Sequence, residues 1–324
     1  MSQRVLPLRH PSHARVKLRV GRAPASGSPA GTATQMKTAV IQFNATDNKD
    51  ENFKRALAFV ESAAKKKAKF IVLPEIFIFR GNLKLTPNVA EMIPGPTIRE
   101  FSQLAKKYRV FILAGSIYEK VVGQKKVYNT SVLIDNQGQV KAKYRKVNLF
   151  NVTLNQKRIV ESERFLAGKQ SVSTRVGEFS VGLTICYDLR FPKLFWDYGK
   201  KGVEVLCVPS AFTHETGKVH WETLLKARAI ENFAYVLAPN QVGENHRGIK
   251  TYGHSMIIDP WGKILAQASE NREEIIYADL DKKRIQEVRQ WQVPSTNSGY
   301  PWKMYKGKKS KSQLPARLDK LVTR

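Results

Sequence analysis

The segment Lys69-Phe-Ile-Val-Leu-Pro74 is a short, almost unbroken apolar run rich in branched side chains, and it ends directly on a carboxylate, Glu75. A run this short reads as a strand rather than a helix, and without polar alternation it has to be covered on both faces. The surrounding pattern supplies the cover. Residues 38–44 read as a strand and 49–67 as a helix, with Phe53, Ala56, Leu57, Val60 and Ala64 spaced to form a core-facing stripe. A helix over 97–108 and a strand over 110–118 follow, and residues 127–135 and 139–144 read as a β-hairpin turning at Asn136-Gln-Gly138. The alternation continues with strand 179–185, helix 192–200, strand 203–208, helix 219–232 and strand 234–239, then a hairpin turning at Asp259-Pro-Trp-Gly262. The sequence contains no Gly-rich phosphate loop of the Walker or dinucleotide type and no fixed short repeat. The expectation is one α/β domain with several hairpins.

Composition first points elsewhere. The 324 residues hold 55 Lys and Arg against 27 Asp and Glu, and a formal charge of +28 suggests an acidic partner such as nucleic acid or a membrane surface. That charge is uneven. Residues 1–35 have six basic and no acidic residues, and 303–324 have eight basic and one acidic, so these segments carry +6 and +7 and leave +15 to residues 36–302. We read 1–35 as a basic flexible extension, 36–302 as the folded domain and 303–324 as a basic tail. The acid-free, Arg-rich start leaves organellar targeting open, although Pro7 and Pro11 interrupt any long amphipathic helix. Met36 stands directly before the first strand-like segment. Two cysteines, Cys186 and Cys207, are too few for a disulfide scaffold and fit a reducing, cytoplasmic setting. The longest apolar stretch, residues 70–79, is about half of what a bilayer requires and contains Pro74 and Glu75, which argues against a transmembrane helix.

Three residues stand where polar chemistry meets the end of an apolar segment. Glu75 closes its strand, where desolvation favours a general base, or else it is a solvated loop carboxylate. Cys186 ends Ser180-Val-Gly-Leu-Thr-Ile-Cys186 just before a helix; a thiol there can project into a cleft beside backbone amides, or be a small buried apolar residue. Lys146, in Lys143-Tyr-Arg-Lys-Val-Asn148, is unremarked alone among so many cations. Together the segments FIVLPE, KYRKVNLF and LTICYDLRFP, in that order, resemble the Glu-Lys-Cys triad of the nitrilase, or carbon–nitrogen hydrolase, superfamily. The resemblance covers about residues 36–281. It implies an αββα four-layer sandwich, protomers paired as homodimers or higher oligomers, a small-molecule amide substrate with no nucleic-acid or membrane partner, and neither metal nor organic cofactor.

The same resemblance implies that Cys186 is the nucleophile, Glu75 the general base and acid, and Lys146 a cation beside the oxyanion, with Glu161 in support. The chemistry is coherent in its own terms. A thiol near its free pKa is mostly protonated at neutral pH, so a neighbouring carboxylate has to take its proton as sulfur attacks. The resulting oxyanion needs donors, and Lys146 with the backbone N–H of Tyr187 can supply them. One departure stands out: related chains commonly read Lys-x-His-Leu-Phe-Asp where this one reads Lys146-Val-Asn148-Leu-Phe-Asn151. Segments 209–213, 216–217, 220–222, 226–231 and 252–256 look like the branch that contains deaminated glutathione amidase and ω-amidase, with Gln241 and Ser210-Ala-Phe212 nearer the former. The expected substrate is therefore deaminated glutathione, hydrolysed through a thioester, with 2-oxoglutaramate, 2-oxosuccinamate or another aliphatic amide as alternatives.

For an anionic substrate, Arg190 can clamp a carboxylate, or it can pair internally with Asp188 or Glu231. Phe212 and Thr216 can line the same mouth, or serve as a core residue and a turn cap. His214, His220 and His254 lack metal-ligand spacing and read as structural, and Cys207 reads as a buried strand residue. A nucleic-acid-binding protein remains the distant rival, carried only by the charge of +28.

Overall fold

The computed structural model describes residues 35–154, 157–245 and 248–291, so the basic segments read at 1–35 and 303–324, Gln35 apart, lie outside the described residues, as do residues 292–302. In chain order the first half forms β1 (Gln35–Gln42), α1 (Lys49–Lys65), β2 (Phe70–Val72), α2 (Thr86–Val89), α3 (Pro96–Tyr108), β3 (Phe111–Glu119), β4 (Tyr128–Ile134) and β5 (Val140–Arg145). A small hairpin follows, β6 (Asn151–Leu154) with β7 (Lys157–Val160). The second half forms β8 (Val172–Val176), β9 (Phe179–Leu183), α4 (Pro192–Lys200), β10 (Val205–Cys207), α5 (His214–Asn232), β11 (Tyr235–Ala238), β12 (Met256–Ile258), β13 (Ile264–Gln267), β14 (Glu274–Asp281) and α6 (Lys282–Trp291).

Helix starts follow local chemistry. Asn48 caps α1 by accepting from the Glu51 amide at 3.1 Å, with Asp50 and Glu51 complementing the dipole of the first turn. Proline opens both α3 and α4, where its missing N–H has no intrahelical acceptor to lose. α5 begins five residues before the expected boundary. Thr216, for which a turn cap was the alternative reading, and Gly217 are both inside the helix, and Tyr252 packs on the glycine: a Cβ there would lie 2.5 Å from the Tyr252 Cβ.

Two six-stranded sheets result, ordered β14-β1-β2-β3-β4-β5 and β13-β12-β11-β10-β9-β8. In the first sheet, successive residues point to opposite faces, and both faces are buried. Val40, Phe70, Val72, Leu113 and Leu133 join the core shared with the second sheet. Their neighbours Ala39, Ile41, Ile71, Ile112 and Ile134 join a second core with Val60 of α1 and Phe101 of α3. The short apolar run at 69–74 is thus covered on both sides. α5 packs on the outside of the second sheet against β11 and β12, with α4 beside it, completing the αββα sandwich. The strand expected over 38–44 begins at Gln35 instead, with Met36 inside it, because β1 pairs with β14 along its whole length from Gln35↔Asp281 to Gln42↔Glu274.

Each sheet has a parallel centre, β1-β2-β3 in one and β9-β10-β11 in the other. Glu75 follows the carboxyl end of β2 and Cys186 that of β9, the positions where α/β sheets gather functional groups. The turn bearing Glu75 leans on β3. The Ile76 amide donates to Ser116 Oγ at 2.9 Å, and a Cβ on Gly115 would meet the Pro74 carbonyl oxygen at 1.8 Å. Gly115→Ala should therefore push the Glu75 turn aside, lowering stability by about 1–3 kcal/mol. Urea denaturation checks this, and an unchanged midpoint would show that the close approach is not needed.

Candidate active site

Glu75 is 3% exposed and has both carboxylate oxygens occupied. Oε1 accepts from Asn129 Nδ2 at 2.8 Å and from Lys146 Nζ at 2.9 Å, while Oε2 accepts from the Ala211 amide at 2.8 Å. Its backbone carbonyl accepts from Gln241 Nε2 at 2.9 Å, and Gln241 Oε1 in turn takes the Ala45 amide. Gln241 thus braces the turn from behind and does not line the cavity. Lys146 follows β5, and its ammonium, 1% exposed, also reaches Glu161 at 3.0 Å. Glu161 is fixed by a second bond, accepting the Phe150 amide at Oε2, and it stands at the start of a one-turn 3₁₀ segment after β7.

Cys186 is held by backbone geometry. Its amide donates to the Pro209 carbonyl at 2.9 Å, extending the parallel pairing of β9 with β10, and its φ of 48° then swings the chain into the 3₁₀ turn Cys186–Arg190. Ile76, next to Glu75, has the same φ of 48°. Non-glycine residues in this left-handed region each carry strain of order 1–3 kcal/mol, worst for β-branched Ile76. Asp188 fixes the turn. Oδ2 accepts from Tyr144 Oη at 2.7 Å and the Ile185 amide at 2.9 Å; Oδ1 accepts both the amide and Nδ2 of Asn148, each at 2.9 Å. The departures at 148 and 151 have a structural account: Asn148 serves Asp188, Asn151 Oδ1 accepts the Ser162 amide at 3.1 Å, and neither lines the cavity.

The eight residues to which the sequence reading gave a catalytic or substrate-binding role meet at one cavity of about 120 Å³. Glu75, Lys146, Glu161, Cys186, Tyr187, Arg190, Phe212 and Thr216 line it together. Arg190 bonds neither Asp188 nor Glu231, because Asp188 is taken as described and Glu231 pairs with Arg228 at 2.6 Å. Its guanidinium instead lies between the rings of Tyr187 and Phe212, 5.9 and 5.1 Å from their centroids, and contacts His220 Nδ1 at 3.3 Å. Phe212 also packs on Trp221, so it serves both core and cavity wall. Thr216 Oγ1 bonds Thr213 Oγ1 at 2.8 Å. The sequence reading missed Asn129, the Ala211 amide and Arg80, which lines the same cavity. Nothing local marks Asn129 or Ala211, whereas Arg80, a cation five residues beyond Glu75 in an apolar segment, is a signal that was available.

The electrostatics follow from burial. Burial alone lowers a lysine pKa, but Glu161 and Glu75 outweigh it and hold Lys146 well above its ordinary value, so it stays charged. Burial raises Glu161 against the pull of Lys146. Burial, reinforced by the negative field of Glu75, pushes the Cys186 thiol far up, and the resting sulfur is a neutral thiol. The buried Cys207 is raised by burial too. His214 faces Glu270 at 3.4 Å and His254 Nδ1 meets the Tyr252 carbonyl at 2.7 Å; among the described residues no group of three His, Cys, Asp or Glu side chains is placed to hold a metal ion.

The chain is also similar to known proteins over most of its length. Residues 37–290 match the family described as Carbon-nitrogen hydrolase. The chain is 37% identical over 262 residues to human omega-amidase NIT2, covering 81% of this chain and 94% of that one. It is 40% identical over 261 residues to a deaminated glutathione amidase of Synechocystis, covering 79% and 95%. Among solved structures, Saccharomyces cerevisiae Nit3 superposes with a TM-score of 0.74 at 35% identity, covering 82% of this chain and 96% of that one. The Caenorhabditis elegans NitFhit protein gives a TM-score of 0.76 at 35% identity over 80% of this chain, which spans 64% of that longer protein.

Two outcomes are expected. Because the thiol pKa is raised, the thiolate absorbance of the wild type minus Cys186→Ala should stay absent from pH 6 to 9; a transition centred within that window would contradict the field described. Asp188→Asn should destabilise the fold by about 1–3 kcal/mol, since a side-chain NH₂ would then face donors that all need an acceptor. Thermal unfolding that matches the wild type would refute that account.

Proposed function

The chain belongs to the carbon–nitrogen hydrolase family, as an amidase of the nitrilase superfamily, and from that premise we propose that it hydrolyses a small anionic amide, deaminated glutathione first, through a thioester on Cys186. The observation that carries the reading is the meeting of Glu75, Lys146 and Cys186 in one buried cavity, with Glu75 bonded to the lysine through one oxygen and to the Ala211 amide through the other.

In this reading Sγ attacks the amide carbonyl while its proton passes to Glu75. The S–C bond forms and the carbonyl π pair moves onto oxygen. A neutral resting thiol makes this transfer necessary, and Glu75 is the carboxylate whose field and hydrogen bond act on the thiol. Lys146 spends two ammonium protons on Glu75 and Glu161 and has a third for the oxyanion; the Tyr187 amide is the second donor. Collapse breaks the C–N bond as Glu75 returns its proton to the departing amine. Water then attacks the thioester, losing a proton to Glu75. The C–S bond breaks, the acid leaves and the thiol is restored. Glu161 holds Lys146 in place throughout. Arg190, between two rings at the cavity edge, receives a carboxylate on the amine side of the substrate, with Phe212 and Thr216 as apolar wall and hydrogen-bonding partner.

Activity is checked by assaying product release from deaminated glutathione, 2-oxoglutaramate, 2-oxosuccinamate, glutamine and a simple aliphatic nitrile. Deaminated glutathione should give the highest kcat/KM, and a nitrile preference would overturn the assignment. Cys186→Ala should abolish turnover, by about 10⁴-fold or more. Lys146→Met should lower kcat by about 10²–10³-fold, the cost of one oxyanion donor. Release of amine or ammonia at the parent rate by Cys186→Ala would end the reading.

A further inference from the structure

Asn129 bonds the catalytic carboxylate from outside the cavity that the substrate enters. It sits in β4 opposite Tyr118 of β3 and is 1% exposed. Its backbone carbonyl accepts the Lys146 amide at 2.9 Å, and its side-chain Nδ2 donates to Glu75 Oε1 at 2.8 Å. The first bond is made by the main chain and survives any substitution, whereas the second needs a side-chain N–H of this reach. Among the described residues, Asn129 Oδ1 is buried without a hydrogen-bond partner. An unpaired buried carbonyl is costly, and an apolar side chain in this core position would avoid that cost. What the amide offers in exchange is its N–H to Glu75. The same arrangement fixes its orientation, because turning the amide over would aim Oδ1 at the carboxylate and leave the NH₂ unpaired.

The two oxygens of Glu75 are consequently unequal. Each can accept two hydrogen bonds. Oε1 is filled, by Asn129 and by Lys146 at 2.9 Å, while among the described residues Oε2 accepts only the Ala211 amide, at 2.8 Å. That amide also reaches the Cys186 thiol, as does the Glu75 carboxylate, so the sulfur lies on the Oε2 side. A proton arriving on Oε1 would have to displace Asn129 or Lys146, whereas one arriving on Oε2 displaces neither.

We propose that Asn129 is a positioning residue for proton transfer: by filling Oε1 together with Lys146, it leaves Oε2 as the oxygen that takes the thiol proton and later returns it to the departing amine. This rests on the reading above of Cys186 as nucleophile and Glu75 as its base. Without the Asn129 N–H, Oε1 regains an open lone pair, and the proton can settle on the oxygen turned away from sulfur.

The test has two readouts on the full chain: steady-state kinetics with the best amide of the comparison above, and the rate at which iodoacetamide alkylates Cys186, followed by mass spectrometry of its peptide. In alkylation the S–C bond forms as the C–I bond breaks, iodide leaves, and the thiol proton again passes to Oε2. Asn129→Leu, similar in size but without a donor, should lower kcat and the alkylation rate by about 10- to 100-fold, the worth of a hydrogen bond to a charged group, with KM unchanged. Asn129→Asp can donate to Oε1 only while its new carboxyl is protonated, so its kcat relative to that of Asn129→Leu should fall as pH rises. Should Asn129→Leu fail to fold, the pH profile of Asn129→Asp against the wild type decides: a ratio falling with pH supports the proposal and a constant ratio overturns it. Wild-type kcat and alkylation in Asn129→Leu, or a raised KM with kcat unchanged, would overturn the proposal and leave the amidase reading intact. Slowed alkylation in Asn129→Leu, in a protein whose wild type hydrolyses none of the amides, would support the positioning role and end the amidase reading.

Discussion

The site depends on a lysine ammonium placed where water cannot reach it. Lys146 has 1% of its side chain exposed, and its charge is tolerable only because Glu75 and Glu161 approach it at 2.9 and 3.0 Å. Removing either carboxylate would leave a buried charge imperfectly matched, a change that usually costs about 3–5 kcal/mol. The three residues come from the end of β2, the end of β5 and the turn after β7. Electrostatic necessity therefore draws three separate segments to one point, and Glu75 is kept ready by the same contacts that compensate the lysine.

The nucleophile comes from the other sheet, and its alignment is a matter of acceptors. Asp188 gathers four donors from three segments, tying the turn that follows Cys186 to Tyr144 of β5 and to Asn148 beside Lys146. The two sheets are packed through an apolar core, which is non-directional; the buried aspartate adds the directional element that apolar packing lacks. The strained residues Ile76 and Cys186 are both on this seam. Their backbone conformations persist because amide partners on each side, Ser116 for one and Pro209 for the other, over-determine them.

Much of this was readable in advance wherever the governing interaction is local. The run at 69–74 had to be a doubly covered strand, and Glu75 and Cys186 each stand out by ending an apolar segment, whereas Lys146 is unremarked alone among so many cations. The triad could be assembled only through the resemblance of three segments, since no spacing rule brings residues 71 and 40 positions apart together. What stayed hidden depends on distant partners. β14 reads Glu-Ile-Ile-Tyr-Ala-Asp-Leu-Asp, too polar to declare itself, and becomes a strand by pairing with β1. The hairpin of β6 and β7 and the polar helix α6 escaped for the same reason. Asn129 and the Ala211 amide have no signature of their own, because their function is to complete a carboxylate supplied from elsewhere.

The full-length pairing of β1 with β14 also orders events in time. Gln35 meets Asp281, so the first of the described strands to leave the ribosome waits for the last of them before its outer edge is satisfied. Until then β1 can pair only with β2 and presents a row of open amides and carbonyls, the kind of edge that recruits other chains. During synthesis the nascent first sheet is therefore an open edge rather than a finished platform, and the arrival of β14 is the step that converts an adhesive edge into a closed one.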